Sequence, residues 1–340
     1  MKRLARPLVA LATVTLLLAG CSGSGSGSGD DDPGGAPDVE LSFAHSYNTD
    51  HPHHRCGAQL VADRINEQDL GMTINVFPNS QLGDDTDRFN SVSSGDIDLD
   101  IQGSSALGAS YPPVGVLDAA YAFDGPDHLF EFFASDAATQ LEEDFRAATS
   151  ARVLSAWYFG MRHFTANSPI RTPEDLGGLR MRFPDSPTYL ANAEALGAQA
   201  TAVAFEEVFL SLQQGVIDGQ ENPIPTIASL NLPEVQSHVS LSGHQTGSQL
   251  VVVSEETWNS LTTDQQQALA TVVAEVQAED RACIEQAERE LLDQWRDTGE
   301  ITVVEDVDRA SFAQRAEGYF TANLTGDSLA LYEVIRASAP

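Results

Sequence analysis

Residues 172–223 read TPEDLGGLRMRFPDSPTYLANAEALGAQATAVAFEEVFLSLQQGVIDGQENP. In this segment, residue patterns typical of strands alternate with patterns typical of helices, and glycine or proline follows most of them. The patterns predict, in order, a strand at 179–183, a helix at 186–196, a strand at 200–203, a helix at 205–214 and a strand at 216–218. Strands that alternate with helices predict a parallel sheet, so the fold class is α/β. Ligands bind at the carboxyl ends of such strands, where we expect Arg182 and Asn222.

Short motifs in this segment occur in an order and spacing that extend to the rest of the chain. They are GLRMRFP (178–184), NAEALGA (192–198) and LQQGVIDGQENP (212–223), with NSQLGDD (79–85) and SSGDIDLD (93–100) before them and NLPEVQSHVSLSGH (231–244) and VSEETWNSL (253–261) after them. Together they closely resemble the solute-binding proteins of tripartite ATP-independent periplasmic (TRAP) transporters, in particular the DctP-like family. The resemblance implies a two-lobed periplasmic-binding-protein fold, type II-like.

The remaining patterns predict a second α/β unit and the connections between two lobes. Strands are predicted at 39–44, 72–77 and 97–102, with helices at 52–66 and 84–93 between them. We expect the strands at 153–158 and 250–253 to cross between the lobes, and a helix at 263–296 to lie along both, as a long helix does in the resembled family. The expected boundaries are 38–159 plus 249–287 for the first lobe and 160–248 plus 288–340 for the second.

The chain begins with features of an exported lipoprotein. Residues 1–20 have a basic start and a short apolar run, which predict a signal peptide rather than a membrane-spanning helix, although an uncleaved anchor is the alternative. Cys21 would then carry a lipid. Residues 21–37 are rich in glycine, serine and aspartate, and we expect them to be a flexible linker. The expected location is extracytoplasmic, on the outer face of the cell membrane, with the lipid as the only membrane contact.

The chain is strongly acidic, with 18 basic and 50 acidic residues and a formal net charge of −32. A surface of this charge should not bind nucleic acid or anionic lipid headgroups. The acidity suits a saline habitat, and base composition is the alternative explanation.

Two cysteines, Cys56 and Cys283, remain in a compartment that permits oxidation, so they form either a disulfide or two buried thiols. Four histidines, His45, His51, His53 and His54, lie near Cys56 in the sequence, and such a group could bind a transition metal. These residues lack the spacing of a closed site, so we expect neither a metal nor a cofactor.

The resemblance implies the ligand-binding residues. Arg162, Arg182 and Asn222 occupy the positions that hold a substrate carboxylate in the family, and a guanidinium offers a planar pair of donors that matches a carboxylate. Phe205 resembles an aromatic residue that packs on the ligand, with a core position as the alternative. Further candidates are Gln102, His45 and Asp84, for the other end of the ligand, and Trp157, which lines the cleft or fills the lobe junction.

We therefore expect a monomeric binding protein, not an enzyme, that closes on a small organic acid and delivers it to a TRAP permease. A protein that senses the same ligand for a receptor is the first alternative. An exported hydrolase is the second, although the chain contains neither GxSxG nor HExxH. Compatible ligands are C4-dicarboxylates, sugar acids, keto acids and zwitterionic solutes such as ectoine.

Overall fold

The computed structural model describes residues 38–339. The signal peptide, Cys21 and the linker predicted at 21–37 lie outside these residues. Within the described residues, nine strands form one sheet. They are β1 (Val39–Ala44), β2 (Met72–Phe77), β3 (Leu99–Gly103), β4 (Ala151–Ala166), β5 (Arg180–Phe183), β6 (Gln199–Ala202), β7 (Gly219–Pro223), β8 (His238–Ser254) and β9 (Thr302–Val304).

Neighbouring strands are parallel at each of the two ends of the sheet, and two long antiparallel strands join these ends. Its order is β2-β1-β3-β8-β4-β7-β5-β6, and β9 pairs with β8. The first end, here the β1–β3 end, has β1 parallel to both β2 and β3. At the other, the β5–β7 end, β5 is parallel to β6 and β7. Strands β4 and β8 pair antiparallel along most of their length and connect the two ends.

Helices cover both faces of the sheet. They are α1 (Gln59–Asn66), α2 (Asp85–Ser94), α3 (Ser104–Leu107), α4 (Pro112–Gly115), α5 (Pro126–Phe133), α6 (Asp136–Thr149), α7 (Pro187–Leu196), α8 (Val208–Gln213), α9 (Ile224–Ser229), α10 (Glu255–Ser260), α11 (Thr263–Thr298), α12 (Arg309–Asn323) and α13 (Gly326–Ala337). Alternate residues of β8 point to different cores, as strand geometry requires. Leu250 and Val252 join one core, and Val251 and Val253 join another on the opposite face.

Helix α11 is the long helix that the sequence predicts. It begins with a capping box at Thr262 and Gln265 and ends at Gly299, whose φ of 68° lies in the left-handed region that favours glycine. Val273 packs into a core with β1 and β3, whereas Trp295 packs into a separate core with β9 and α9. The helix therefore lies against both ends of the sheet, and the predicted α/β fold with a long helix is confirmed.

A disulfide joins α11 to the first helical segment within residues 38–339. Cys56 and Cys283 are bonded, with Cα atoms 6.4 Å apart. Cys56 lies in a π-helical turn, His53–Ala58, that precedes α1. A second link lies nearby, because the His53 ring and the Asp280 carboxylate form a fully buried contact of 2.9 Å. The β1–β3 end is thus fastened to α11 at two points.

The observed elements differ from the sequence predictions mainly in their limits. β4 and β8 are 16 and 17 residues long, because their mutual pairing extends far beyond the short segments expected at 153–158 and 250–253. The strand predicted at 216–218 begins instead at Gly219, so Asn222 lies within β7, and Arg182 lies within β5. The lobe boundaries remain a prediction. Among the described residues, no helix combines the length and apolar character needed to cross a membrane.

Candidate functional site

A cavity of about 200 Å³ opens between the two ends of the sheet. It lies beyond the carboxyl ends of parallel strands from both ends, where α/β sheets bind ligands. Tyr47 and Asp85, which follow β1 and β2, lie on one wall, and Arg182, Phe205 and Asn222 lie on the other. The volume is below the roughly 300–1,000 Å³ of sites for drug-sized molecules, which indicates a small solute.

Arg162 lies on the cavity wall in a fully buried ion pair. Its Nη2 donates to Oε1 of Glu221 at 2.7 Å, and its Nε donates to Oε2 of the same carboxylate. His244 Nε2 lies 3.2 Å from Oε2, and the guanidinium carbon is 5.0 Å from the centre of the Tyr189 ring. Burial opposes both charges, but their mutual attraction raises the pKa of Arg162 and lowers that of Glu221. The pair is therefore ionised and close to neutral overall.

Within residues 38–339, Arg182 differs from the other buried arginines because no carboxylate pairs with it. Among residues 38–339, Arg88, Arg162 and Arg182 are buried. Arg88 binds Asp100 and Arg162 binds Glu221, whereas Nε of Arg182 donates only to the Val203 carbonyl at 2.9 Å. Burial lowers the pKa of Arg182 to about 10, which still leaves it charged at neutral pH. A buried charge without a counterion is costly, so the rest of this guanidinium is suited to an anion in the cavity.

An amide and an aromatic ring complete this side of the cavity, and a second ring from the opposite wall meets them. Asn222 is 2% exposed, and its Nδ2 donates to Gln220 Oε1 at 2.6 Å, which leaves a second N–H on the same nitrogen. The Phe205 ring is half-buried and lies edge-on to the Tyr47 ring, with the ring centres 6.1 Å apart. The rings provide an apolar surface beside the two guanidinium groups.

The opposite wall is acidic. Asp84 caps α2 by accepting from the Asp87 amide at 2.9 Å. Asp85, the first residue of α2, accepts through Oδ1 from Ser46 Oγ at 2.7 Å and from Arg88 Nη2 at 2.8 Å. Both carboxylates line the cavity. Negative charge at the start of a helix is also favoured by the helix dipole.

The structure brings five predicted residues to the cavity, which are Arg162, Arg182, Asn222, Phe205 and Asp84. It places the other three, Gln102, His45 and Trp157, behind the wall because each is fully buried. Gln102 Nε2 donates to Asp100 Oδ2 at 2.6 Å, and His45 Nε2 contacts His54 Nδ1 at 3.1 Å. Trp157 is packed in the core beneath α11. The three residues thus support the wall without reaching the cavity.

The histidine cluster is held by ordinary protein contacts. His53 contacts Asp280, as described above, and His51 Nε2 lies 3.1 Å from Thr226 Oγ1. Burial lowers the pKa of His45 to about 3 and that of His51 well below its usual value, so these two rings are neutral. Within residues 38–339, no group of three or more histidine, cysteine or acidic side chains has a geometry that could hold a metal ion.

Sequence reasoning missed several residues that the structure places at the site. Glu221 and His244 form the buried network around Arg162, and Tyr47, Asp85 and Tyr189 line the cavity. Glu221 lies inside the QENP motif. An acidic residue directly before the predicted ligand-binding Asn222 was the signal that could have identified it. Which arginine it pairs with depends on the register between β4 and β7, which the sequence does not specify.

Comparisons with known proteins agree with this geometry. Residues 43–322 match the model of the DctP family, described as bacterial extracellular solute-binding protein, family 7. A solute-binding protein of Roseobacter denitrificans is 32% identical over 290 residues, which cover 85% of this chain and 88% of that protein. The sialic acid-binding periplasmic protein SiaP of Vibrio cholerae is 31% identical over 71% of this chain and 76% of its own.

A solved structure has the same fold. It is a TRAP periplasmic solute-binding protein from Roseobacter denitrificans with bound L-galactonate, with a TM-score of 0.81 and 31% identity over 88% of this chain and 99% of that one. These relatives are solute-binding proteins and not enzymes. The family match and the shared fold agree with a cavity that lies between the two ends of the sheet. This chain belongs to the DctP family of TRAP-type extracellular solute-binding proteins.

Proposed function

We propose that this protein binds a small organic acid in the cavity and holds its carboxylate with Arg182, Arg162 and Asn222. Arg182 supplies the unpaired charge, Arg162 an oriented donor within its ion pair, and Asn222 an amide N–H. Together these donors can occupy several lone pairs of one carboxylate. No bond is made or broken in this role.

The observation that carries the proposal is the state of Arg182. It is 3% exposed, charged at neutral pH, and without a carboxylate partner among the described residues. A protein normally pairs such a charge, as this chain does at Arg88 and Arg162. The bound L-galactonate of the solved relative and the sialic acid in the name of another are both carboxylates, which supports an organic acid as the missing partner.

Binding would be coupled to closure of the cavity. Contacts already join the two ends of the sheet, because Asn48 Nδ2 donates to the Ser229 carbonyl at 2.8 Å and Ser80 Oγ donates to the Glu206 carboxylate. A ligand that touches both walls binds the closed state better than an open one and shifts the population towards it.

The physiological role that fits this binding step is delivery of the acid to a TRAP membrane permease. We expect a monomer that works outside the cytoplasm, held at the membrane by a lipid on Cys21. The periplasmic location of the relatives supports the extracytoplasmic site. Labelling with a radioactive fatty acid, and its loss in Cys21→Ser, would test the anchor.

Two arginines two residues apart on β5 provide a matched test of the binding site. Arg182 faces the cavity, whereas Arg180 is exposed and pairs with Asp218 at 2.7 Å. Titration calorimetry with L-galactonate should show that Arg182→Ala weakens binding by roughly 30- to 3,000-fold, the usual effect of removing one partner of a desolvated charge pair. Arg180→Ala should bind as the unaltered protein does. Equal affinity of the Arg182→Ala protein would refute the proposal.

A further inference from the structure

More acidic than basic side chains line the cavity. Two cations, Arg162 and Arg182, face four carboxylates, which are those of Asp84, Asp85, Asp185 and Glu206. Glu221 already neutralises Arg162. The cavity therefore offers one cation without a bound carboxylate, enough for a single ligand carboxylate, and the four acidic side chains on both of its sides would repel a second anionic group on the ligand.

Asp85, on the β1–β3 side of the cavity, is held by two side-chain donors. Ser46 and Arg88 both donate to its Oδ1, whereas Oδ2 has no hydrogen-bond partner within the part of the chain that the structure describes. The side chain is 45% exposed and lies on the cavity wall. Burial dominates the pKa of Arg182, and the Asp85 charge raises it across the cavity. Oδ2 is thus an acceptor held opposite the arginine that takes the carboxylate.

Gln249 adds a neutral group to the same cavity. It is 6% exposed and lines the cavity, and its Oε1 is buried with no hydrogen-bond partner within residues 38–339. The two ends of an amide differ only in the assignment of oxygen and nitrogen. A ligand hydroxyl both donates and accepts, so it can satisfy this amide in either orientation. A carboxylate can only accept.

We propose that Asp85, with Gln249, selects a hydroxylated monocarboxylic acid and rejects a dicarboxylic acid of the same length. The inference rests on the proposed function, because Arg182 must first hold one carboxylate. A hydroxyl at the other end donates to Asp85 Oδ2. A carboxylate at that position is repelled by Asp85 and leaves Oδ2 without a donor.

Two pairs of acids of matched chain length test this selectivity. Erythronate and meso-tartrate both have four carbons, and L-galactonate and galactarate both have six. In each pair, the second acid has a carboxylate where the first has a terminal hydroxymethyl group. For the unaltered protein, calorimetry at pH 7 should show that the monocarboxylate of at least one pair binds at least about tenfold more tightly than its dicarboxylate. Equal or tighter binding of the dicarboxylate in both pairs would overturn the inference.

A variant and a matched control assign the effect to Asp85. Asp85→Asn retains an acceptor for Ser46 and Arg88 but removes the charge, so the ratio of the two affinities should fall at least about fivefold, with tighter dicarboxylate binding. Asp87→Asn removes the same charge from the same first turn of α2, outside the cavity, and should leave the ratio unchanged. An unchanged ratio in Asp85→Asn would contradict the assignment.

The design separates this inference from the proposed function. If none of the four acids binds, the proposed carboxylate site is refuted and the selectivity falls with it. If acids of both kinds bind and Arg182→Ala abolishes their binding, but the dicarboxylates are preferred, the site stands and only the selectivity is wrong. The comparison in the unaltered protein does not depend on the folding of any variant.

Discussion

The two walls of the cavity differ in burial, in origin and in the presence of a cation. The wall from the β5–β7 end presents Arg182 and Asn222, both buried within strands, and also Asp185 and Glu206. The wall from the β1–β3 end presents Asp84 and Asp85, which are more exposed and lie at the start of α2. We propose that strand residues recognise the group that all candidate ligands share and that a helix start meets the part in which they differ. General affinity and ligand choice would then lie in separate parts of the fold.

The largest expected effect concerns the ion pair that stabilises the cationic wall. Glu221→Gln leaves the Arg162 charge buried without its counterion, which should lower the free energy of unfolding by about 3–5 kcal/mol. Denaturant titration without ligand measures this change. Asp218→Asn removes one partner of the exposed pair with Arg180 and should have little effect. Similar losses in both variants would show that burial does not distinguish the two pairs.

The next effect concerns the attachment of the β1–β3 end to α11. Cys56→Ser together with Cys283→Ser removes the disulfide, and we expect a loss of about 2–4 kcal/mol in the free energy of unfolding. Because the bond closes a loop over a sequence separation of 227, the reduced unfolded chain gains conformational entropy.

Mass spectrometry of the alkylated, non-reduced protein is the control for that experiment. The intact disulfide predicts no alkylation of Cys56 or Cys283. Two alkylated thiols in the folded protein would show that the bond is absent, and the double serine variant would then be expected to have the stability of the unaltered protein.

Glu288 lies on α11 beside Met161 of β4, and its burial predicts a pH effect. Its carboxylate accepts from the Met161 amide at 3.1 Å, and burial raises its pKa to about 7 from 4.5. The folded state therefore retains this proton at a pH at which the unfolded chain has lost it. The contribution of the protonated Glu288 carboxyl group to the free energy of unfolding is complete below pH 4.5 and is lost as the pH rises through about 7.

Comparison of variants isolates this contribution from that of other carboxyl groups. As the pH rises from 5 to 8, the free energy of unfolding should fall by about 1–3 kcal/mol less in Glu288→Gln than in the unaltered protein. Glu290→Gln, an exposed position on the same helix, should follow the unaltered protein. Parallel pH curves for all three proteins would mean that Glu288 titrates alike in the folded and unfolded chains.

The smallest expected effect concerns how an anion approaches the cavity. The chain has a net charge of −32, which repels an anionic ligand at a distance, whereas Arg182 attracts it at contact. The Debye length is about 10 Å at 0.1 M salt and about 3 Å at 1 M, so salt screens the distant repulsion first. Stopped-flow association of an organic acid should therefore become faster, or stay constant, up to about 1 M salt. A steep fall in the rate would contradict this.

The sequence predicted the cationic wall better than the acidic one for a physical reason. Arg182 lies in a short motif whose strand pattern is local, whereas the strand predicted at 216–218 ended before Asn222, which lies within β7. Gln102 donates to Asp100, two residues before it, and His45 contacts His54, nine residues after it. Whether these side chains face the cavity or the interior depends on tertiary packing, and both are fully buried behind the wall. Asp84 and Asp85 are adjacent in sequence, and only the contacts of Asp85 with Ser46 and Arg88 distinguish their roles.

The length of the central strands was underpredicted for a related reason. β4 extends over Ala151–Ala166 because it pairs with β8 on one side and with β7 on the other. Pairing across such separations is not encoded in a local pattern. The long helix α11 was predicted almost to its ends, because its apolar stripe, its capping residue and Gly299 are all local signals.

A crystal structure with erythronate or L-galactonate bound would test the central claim most directly. We predict that the ligand carboxylate lies within hydrogen-bond distance of the Arg182 guanidinium and the Asn222 amide, with a hydroxyl group against Asp85. A carboxylate bound elsewhere, with Arg182 free of the ligand or paired with a protein carboxylate, would contradict the account.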